Sequence, residues 1–202
     1  MSGESSGAAV VVERAGATVL VRLARPAERN PLSSPTLAAL EETLSALSED
    51  SSIKSIVFTG TGEVFASGAD IRELSALTPE SAREFSARGQ RLFQSIADAC
   101  RLTVAAVEGF CMGGGLDLAL ACRLRVASPR AVFAHPGARL GIITGWGGTR
   151  RLPRAVGTAV AAEMFLTGRR LSGEEAFEVG LVDYLSERPV ERALEVARLA
   201  AE

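Results

Sequence analysis

The sequence predicts a single α/β domain, and three observations support this prediction. Short β-branched runs alternate along the chain with longer segments whose apolar residues recur every three or four positions. No linker rich in Pro, Gly or Ser separates these segments, so the alternation belongs to one unit. The chain has 202 residues, 47% hydrophobic and 23% charged, which suits one domain with a substantial core.

The first hundred residues predict a hairpin, two helices and a strand. Residues 10–12 and 19–23 are the valine-rich strands of the hairpin, which turns at Gly16. Ser34 followed by Pro35 is typical of a helix start. The remaining segments are an apolar helix face of Leu37, Leu40, Leu44 and Leu47, a buried strand at 53–59, and a helix from Thr78 to about Cys100.

The second hundred residues predict three strands and a largely helical end. The strands are 104–107, 124–127 and 132–134, and the helices are 114 to about 122, 150–156, 159–166, 173–178, and 190 to the end. We divide the chain into a disordered N-terminus at 1–7, a core at 8–188, and the start of a C-terminal helical region at 189–202. An exposed apolar face is expected on residues 193–200.

Charge and composition exclude several classes of function. The formal net charge of −2 argues against a broad nucleic-acid-binding surface, which needs clustered Lys and Arg. The three cysteines form no C-x-x-C pair and fit a reducing compartment. No secretory signal and no apolar run of membrane-spanning length is visible, so we expect a cytoplasmic protein without membrane contact.

Two glycine-containing segments follow predicted strands and could bind a ligand through their backbone. The first is FASGADI at residues 65–71, and the second is GGGLD at residues 113–117, which opens a helix. Glycine permits close approach to a ligand, and a helix N-terminus presents unpaired N–H groups. Two such loops facing each other could donate two hydrogen bonds to one oxyanion. Either segment alone could equally be a simple turn.

Taken together with the segments that follow, these loops show a family resemblance. FASGADI, VAAVEGFCMGGGLDLALACRLRVAS, GIITGWGGTRRLPRAVG and LTGRRLSGEEAFEVGLV occur in this order between residues 10 and 182. This pattern resembles the enoyl-CoA hydratase/isomerase (crotonase) superfamily along that whole stretch. The resemblance implies a spiral of repeated ββα units, assembled as trimers or paired trimers. It also implies an acyl-CoA thioester as ligand, with no metal and no cofactor besides the coenzyme A of the substrate.

The resemblance also assigns roles to backbone groups. It implies that the N–H groups of Ala69 and Gly114 hold the thioester oxygen, with Gly68 and Gly113 beside them in the binding loops. It implies that Ser67 meets the CoA adenine. Further assignments by the same resemblance are Arg29, near the CoA phosphates, and Gly137, at the substrate. Trp146 could line the acyl pocket or could be a packing residue.

The acidic residues follow the family only in part. Hydratases of the family use two glutamates, and Asp117 stands at the first position while Gly137 replaces the second. Gly145 stands where some relatives carry a catalytic aspartate. A glycine cannot transfer a proton, so the two-acid mechanism cannot operate in its usual form. The only histidine, His135, could act as an alternative acid or base, or could be a hydrogen-bonded structural residue.

We therefore expect a hydro-lyase that adds water to a 2-enoyl-CoA thioester, with Asp117 orienting the water. The alternatives are a decarboxylase or isomerase of the same fold, or a protein that binds acyl-CoA without turnover. The family also continues beyond the point where this chain stops, so we expect a shortened C-terminal helical part.

A cysteine hydrolase is the rival from another class. Residues 109–113, Gly-Phe-Cys-Met-Gly, match a nucleophile elbow with Cys111 as nucleophile. Such an enzyme needs an acid that orients a histidine. Asp117, on the helix that the elbow would start, is expected not to reach His135, so we reject this reading. A dinucleotide site is weaker still, because no G-x-G-x-x-G follows a strand.

Overall fold

A computed structural model describes residues 8–200, and the predicted disorder at residues 1–7 lies outside them. The strands are β1 (Val10–Ala15), β2 (Thr18–Leu23), β3 (Pro31–Leu32), β4 (Ser55–Thr59), β5 (Val64–Ala66), β6 (Gly68–Ala69), β7 (Leu102–Val107), β8 (Phe110–Met112), β9 (Leu124–Ala127), β10 (Val132–Ala134), β11 (Leu171–Ser172) and β12 (Tyr184–Leu185). The α-helices are α1 (Ser34–Glu49), α2 (Ile71–Ser75), α3 (Pro79–Ala97), α4 (Gly114–Ala121), α5 (Gly148–Thr167), α6 (Gly173–Glu178) and α7 (Pro189–Leu199).

The strands form one large sheet and two smaller ones. The large sheet has the order β1-β2-β4-β7-β9-β12, and every pair in it is parallel except the β1–β2 hairpin. A four-stranded sheet has the order β11-β10-β8-β5, and β3 pairs with β6. Each of β4, β7 and β9 is followed along the chain by a strand of the four-stranded sheet. This repetition of two strands and a helix confirms the predicted α/β architecture of ββα units.

The central strands of the large sheet are buried on both faces. One face packs on the main core, which includes the apolar side of α1 with Leu37 and Leu40. The other face packs on α7, whose Ala193 and Ala197 are fully buried against the sheet. The expectation that residues 193–200 expose an apolar face is therefore wrong for most of that face, although Leu199 does remain exposed.

Several predicted boundaries differ from the structure for local reasons. The N-cap of α1 is Ser33 rather than Ser34, and Pro35 lies within the first turn. The two helices predicted at 150–156 and 159–166 are joined as α5, which breaks at Gly157 with φ +79° and ψ 161°. The strands β3, β5, β6, β8, β11 and β12 were not predicted, because strands of two or three residues show little periodicity, and among strands this short only β10 was predicted.

Candidate active site

One cavity of about 610 Å³ lies where the two glycine loops meet the segment after β10. Ser67 to Ala69 and the glycines at 113 and 114 form one side of it. Residues 135–138 and 142–146 form another side, and α2, the start of α3 and Phe165 of α5 complete the wall. The structure therefore brings both glycine loops, His135, Gly137 and Trp146 to a single cavity, and neither Asp117 nor Arg29 lines it.

The two glycine loops are in direct contact. A Cβ built on Gly68, where φ is +98°, would lie 3.0 Å from the backbone nitrogen of Gly114. A Cβ built on Gly114 would lie 3.4 Å from the backbone nitrogen of Ala69. The amides of Ala69 and Gly114 are therefore close neighbours at the cavity. Because Gly114 is the first residue of α4, its N–H also has no acceptor within the helix.

Asp117 lies in the first turn of α4 and is fully buried behind the cavity wall. Thr144 Oγ1 donates a hydrogen bond to its Oδ2, and the backbone N–H groups of Trp146 and Gly148 also favour the ionised carboxylate. Glycine is needed at 148, because a Cβ there would overlap Asp117 Oδ1. Burial nevertheless dominates, and raises the pKa of Asp117 to about 7.

Within residues 8–200, His135 is the ionisable side chain that reaches the cavity. Its Nε2 lies 3.4 Å from Asp117 Oδ1, and its ring packs 4.9 Å from the ring of Phe165. Burial lowers the pKa of His135 to about 4, so the imidazole is neutral near pH 7. Neither Nε2 nor Oδ1 has a hydrogen-bond partner among the described residues. Such contacts often tighten only when substrate binds.

The contact between Asp117 and His135 shows that one step of the argument against a cysteine hydrolase was wrong. Asp117 does reach His135, although its place on the helix after the elbow was expected to prevent this contact. The hydrolase is excluded on other grounds. Cys111 lies within β8 with no exposed surface rather than at an exposed elbow, and burial holds the pKa of its thiol well above the usual range.

The segment after His135 fills the space that a side chain at position 137 would need. Residues Pro136–Leu140 form a 3₁₀ turn, and Ile142 N donates to the carbonyl of Gly137 at 3.0 Å. A Cβ on Gly137 would lie 2.5 Å from the carbonyl oxygen of Ile142. The closed turn therefore requires glycine at position 137. The carbonyl of Gly145 accepts a hydrogen bond from the side chain of Gln90.

Restoring the family's glutamate is therefore expected to fail. Gly137→Glu should destabilise the protein by about 1–3 kcal/mol, because the turn must open to admit the side chain, and it should not raise kcat. Urea unfolding and a hydration assay would measure the two effects. Ala138→Glu is the matched control, since Ala138 is exposed and should lose less stability. A more active Gly137→Glu protein would contradict the prediction.

The residues assigned to CoA and to the acyl wall occupy different environments. Arg29 and Ser67 are adjacent, because Ser67 N donates to the carbonyl of Arg29 at 3.0 Å. Arg29 is exposed and has a left-handed backbone with φ 65°. Trp146 lines the cavity but is only 4% exposed, and its ring packs on Phe85 and Phe93.

The pKa of Asp117 is raised and that of His135 is lowered, so each residue contributes a pH dependence to the free energy of unfolding, and the two contributions have opposite signs. Between about pH 4 and 6.5, the unfolded chain holds a proton on His135 and the folded protein holds one on Asp117. The two contributions to the free energy of unfolding therefore cancel in the wild type. Removing either residue should expose the contribution of the other.

Urea unfolding across pH 4–7 would test this cancellation. In His135→Phe only the raised pKa of Asp117 remains, so stability should fall as pH rises, by about 1.4 kcal/mol per unit. In Asp117→Asn only the lowered pKa of His135 remains, so stability should instead fall as pH drops below 6.5. Parallel curves for the two variants would contradict the pairing.

Residues 8–200 contain neither a candidate metal-binding cluster nor a candidate membrane span. No group of three or more His, Cys, Asp or Glu side chains in this range could hold a metal ion. None of the helices in this range is both long and apolar enough to cross a membrane.

Comparisons with known proteins agree with one another. The family model described as "Enoyl-CoA hydratase/isomerase" matches residues 13–202. A crotonyl-CoA hydratase from Syntrophomonas wolfei is 36% identical over 192 residues, covering 95% of this chain and 74% of that protein. The human "Enoyl-CoA hydratase domain-containing protein 2, mitochondrial" is 44% identical over 161 residues, covering 79% of this chain and 55% of that protein.

Solved structures give the same result. The crystal structure of an enoyl-CoA hydratase from Thermoplasma volcanium superposes with a TM-score of 0.92 at 32% identity, covering 98% of this chain and 80% of that one. That of an enoyl-CoA hydratase from Bacillus anthracis superposes with a TM-score of 0.90 at 34% identity, covering 96% and 76%.

Proposed function

Because the chain belongs to the enoyl-CoA hydratase/isomerase family, we propose that it adds water to a 2-enoyl-CoA thioester with His135 as its acid–base group. The protein is an acyl-CoA enzyme of that family, and its relatives are named as hydratases. The observation that carries the proposal is the meeting of two backbone N–H groups and a buried Asp–His pair at one cavity.

The amides of Ala69 and Gly114 hold the thioester oxygen in this proposal. Negative charge develops on that oxygen when the nucleophile adds to the β-carbon, and two fixed donors stabilise it more than water would. Their contact through Gly68 and Gly114 supports this assignment, because both nitrogens then lie close together beside the cavity. Loss of one such donor typically costs about 100- to 1,000-fold in kcat.

His135 transfers the proton, and Asp117 acts through it as a positioning residue. Nε2 faces Asp117, which leaves Nδ1 as the ring nitrogen for the cavity side. Neutral Nδ1 accepts a proton from water while the hydroxyl bonds to the β-carbon and the C=C electron pair moves to the thioester oxygen. The enolate then takes that proton back at the α-carbon, so one water supplies both groups. Ionised Asp117 stabilises the imidazolium between these steps.

The glycine at 137 supports a second candidate function. Without a second carboxylate, the site could perform enolate chemistry that needs only the two amides, such as isomerisation or decarboxylation, or could bind acyl-CoA without turnover. His135 favours hydration over these alternatives, because it supplies a proton acceptor on the side where the family acid is missing.

Assembly and location also belong to the proposal. We propose a homotrimer or a dimer of trimers acting in the cytoplasm on fatty-acyl thioesters, without nucleic-acid or membrane partners. The family resemblance supports the assembly, and the net charge of −2 supports the absence of a nucleic-acid partner. Sedimentation of the purified chain would test the assembly.

The experiment that tests the function follows loss of the conjugated enoyl-thioester absorbance with crotonyl-CoA and 2-octenoyl-CoA. We expect turnover to a 3-hydroxyacyl-CoA. Parallel reactions with a 3-enoyl-CoA and with malonyl-CoA test the isomerase and the decarboxylase. Turnover of only one of those two would replace hydration by that reaction, and binding without any turnover would leave an acyl-CoA binder.

A further inference from the structure

The lining of the cavity contains no formal charge. Among the residues that the structure describes, no Asp, Glu, Lys or Arg side chain lines it, and His135 is neutral near pH 7. Polar side chains in the lining already form hydrogen bonds within the protein. Thr144 donates to Asp117, and Ser86 donates to the carbonyl of Gly145.

Apolar side chains from two separate segments line the cavity. Leu74, Leu77 and Phe85 project from α2, α3 and the connection between them, while Ile142 and Ile143 project from the loop after the 3₁₀ turn. Ile142 and Ile143 are 47% and 62% exposed, although each is a large apolar residue. Large apolar side chains that are exposed at a cavity indicate a binding surface.

The absence of lining charge determines which part of the ligand enters. The phosphates of CoA need Arg or Lys partners and would be costly to bury here. The acyl group and the thioester therefore occupy the cavity, and the phosphates of CoA stay outside it. A carboxylate on the acyl group would meet the same penalty as a phosphate, because no cation among the described residues lines the cavity to pair with it.

We propose that this site selects neutral hydrocarbon acyl groups longer than four carbons and rejects acyl groups that carry a second carboxylate. This inference rests on the proposed function, since it assumes that an acyl thioester occupies the cavity. The acyl chain of the ligand lies between the α2–α3 segment and residues 142–143, where each added methylene is removed from water.

Binding of unreactive saturated thioesters measures the selectivity without requiring turnover. Calorimetry with butyryl-, hexanoyl- and octanoyl-CoA should show affinity rising about fourfold per methylene, or about 250-fold over the four methylenes from butyryl to octanoyl. Glutaryl-CoA and valeryl-CoA have equal carbon number, and glutaryl-CoA should bind about 100-fold more weakly. Equal affinity for butyryl- and octanoyl-CoA, or equal affinity within the C5 pair, would overturn the proposal.

A substitution in the cavity lining tests where the acyl chain of the ligand lies. Ala82 lies on α3 and lines the cavity, so Ala82→Phe should abolish the advantage of octanoyl-CoA over butyryl-CoA. Ala159→Phe places the same substitution on an exposed position of α5 and should change neither affinity. An Ala82→Phe protein that keeps the full preference for octanoyl-CoA would overturn this placement.

The two proposals fail in different ways. If affinity rises with chain length but no 2-enoyl-CoA is hydrated, the hydratase function is wrong and the acyl selectivity stands. If crotonyl-CoA and 2-octenoyl-CoA are hydrated with equal kcat/KM and their saturated analogues bind equally, the function stands and the selectivity is wrong.

Discussion

His135→Ala is expected to lower kcat for hydration of a 2-enoyl-CoA by about 100- to 10,000-fold, the range typical for loss of a general acid–base group. His135 is the one ionisable side chain that lines the cavity within residues 8–200. Its neutral imidazole can accept the proton of the attacking water, and Gly137 offers no substitute. Steady-state kinetics with crotonyl-CoA and 2-octenoyl-CoA would measure the loss.

A purely structural role for His135 predicts a different pattern. The ring packs on Phe165, so a structural residue would lower the melting temperature and raise KM together with any loss of rate. A proton-transfer role lowers kcat while octanoyl-CoA binding is preserved within about threefold. Phe165→Leu perturbs the same packing without removing the imidazole, and serves as the control. If His135→Ala retains kcat within about threefold of wild type, His135 does not transfer the proton.

Elements with a repeated apolar pattern could be predicted from the sequence. The leucines of α1 recur at helical spacing, and that face is buried as expected. The break in α5 was also visible, because Gly157 separates two apolar segments. The role of α7 was not visible, since a small-residue face such as Ala193 and Ala197 can be exposed or buried. Whether such a face is buried depends on whether a sheet packs against it.

The site could be predicted where backbone motifs define it. The two glycine loops indicated a shared site, the family resemblance assigned Ala69 and Gly114 to it, and the structure brings the two loops into contact. Their catalytic roles remain predictions. The contact between Asp117 and His135 could not be predicted, because it depends on how α4 and the end of β10 pack, and no sequence spacing encodes that.

Thr144 was missed for a similar reason. A threonine in a loop rich in glycine carries no signal of its own, yet its hydroxyl donates to Asp117 Oδ2. The glycines around it are informative in retrospect. Gly148 must lack a side chain so that the start of α5 can approach the Asp117 carboxylate, and a helix N-terminus favours such a negative charge.

The pH dependence of the rate follows from the same contact, and Asp117→Asn is its test. The raised pKa of Asp117, about 7, means that the carboxyl is protonated below pH 7 and can then donate to Nε2 of His135. The imidazole proton then moves to Nδ1, on the cavity side, where it blocks acceptance of a proton from water. Ionised Asp117 accepts from Nε2–H instead and leaves Nδ1 free. In the wild type, kcat/KM should therefore rise with pH through about 7.

The Asp117→Asn substitution should hold the histidine permanently in the unproductive tautomer. The side-chain oxygen of the introduced amide can keep the hydrogen bond from Thr144, so its NH₂ group faces Nε2 of His135 and donates to it. We expect kcat to fall by about 100- to 10,000-fold, by the logic that applies to a triad aspartate. The rise in kcat/KM through about pH 7 should also disappear, because the group that titrates is gone. If the variant kept this rise in kcat/KM, the titrating group would be a residue other than Asp117. The proposed role of Asp117 as the partner of His135 would then be wrong.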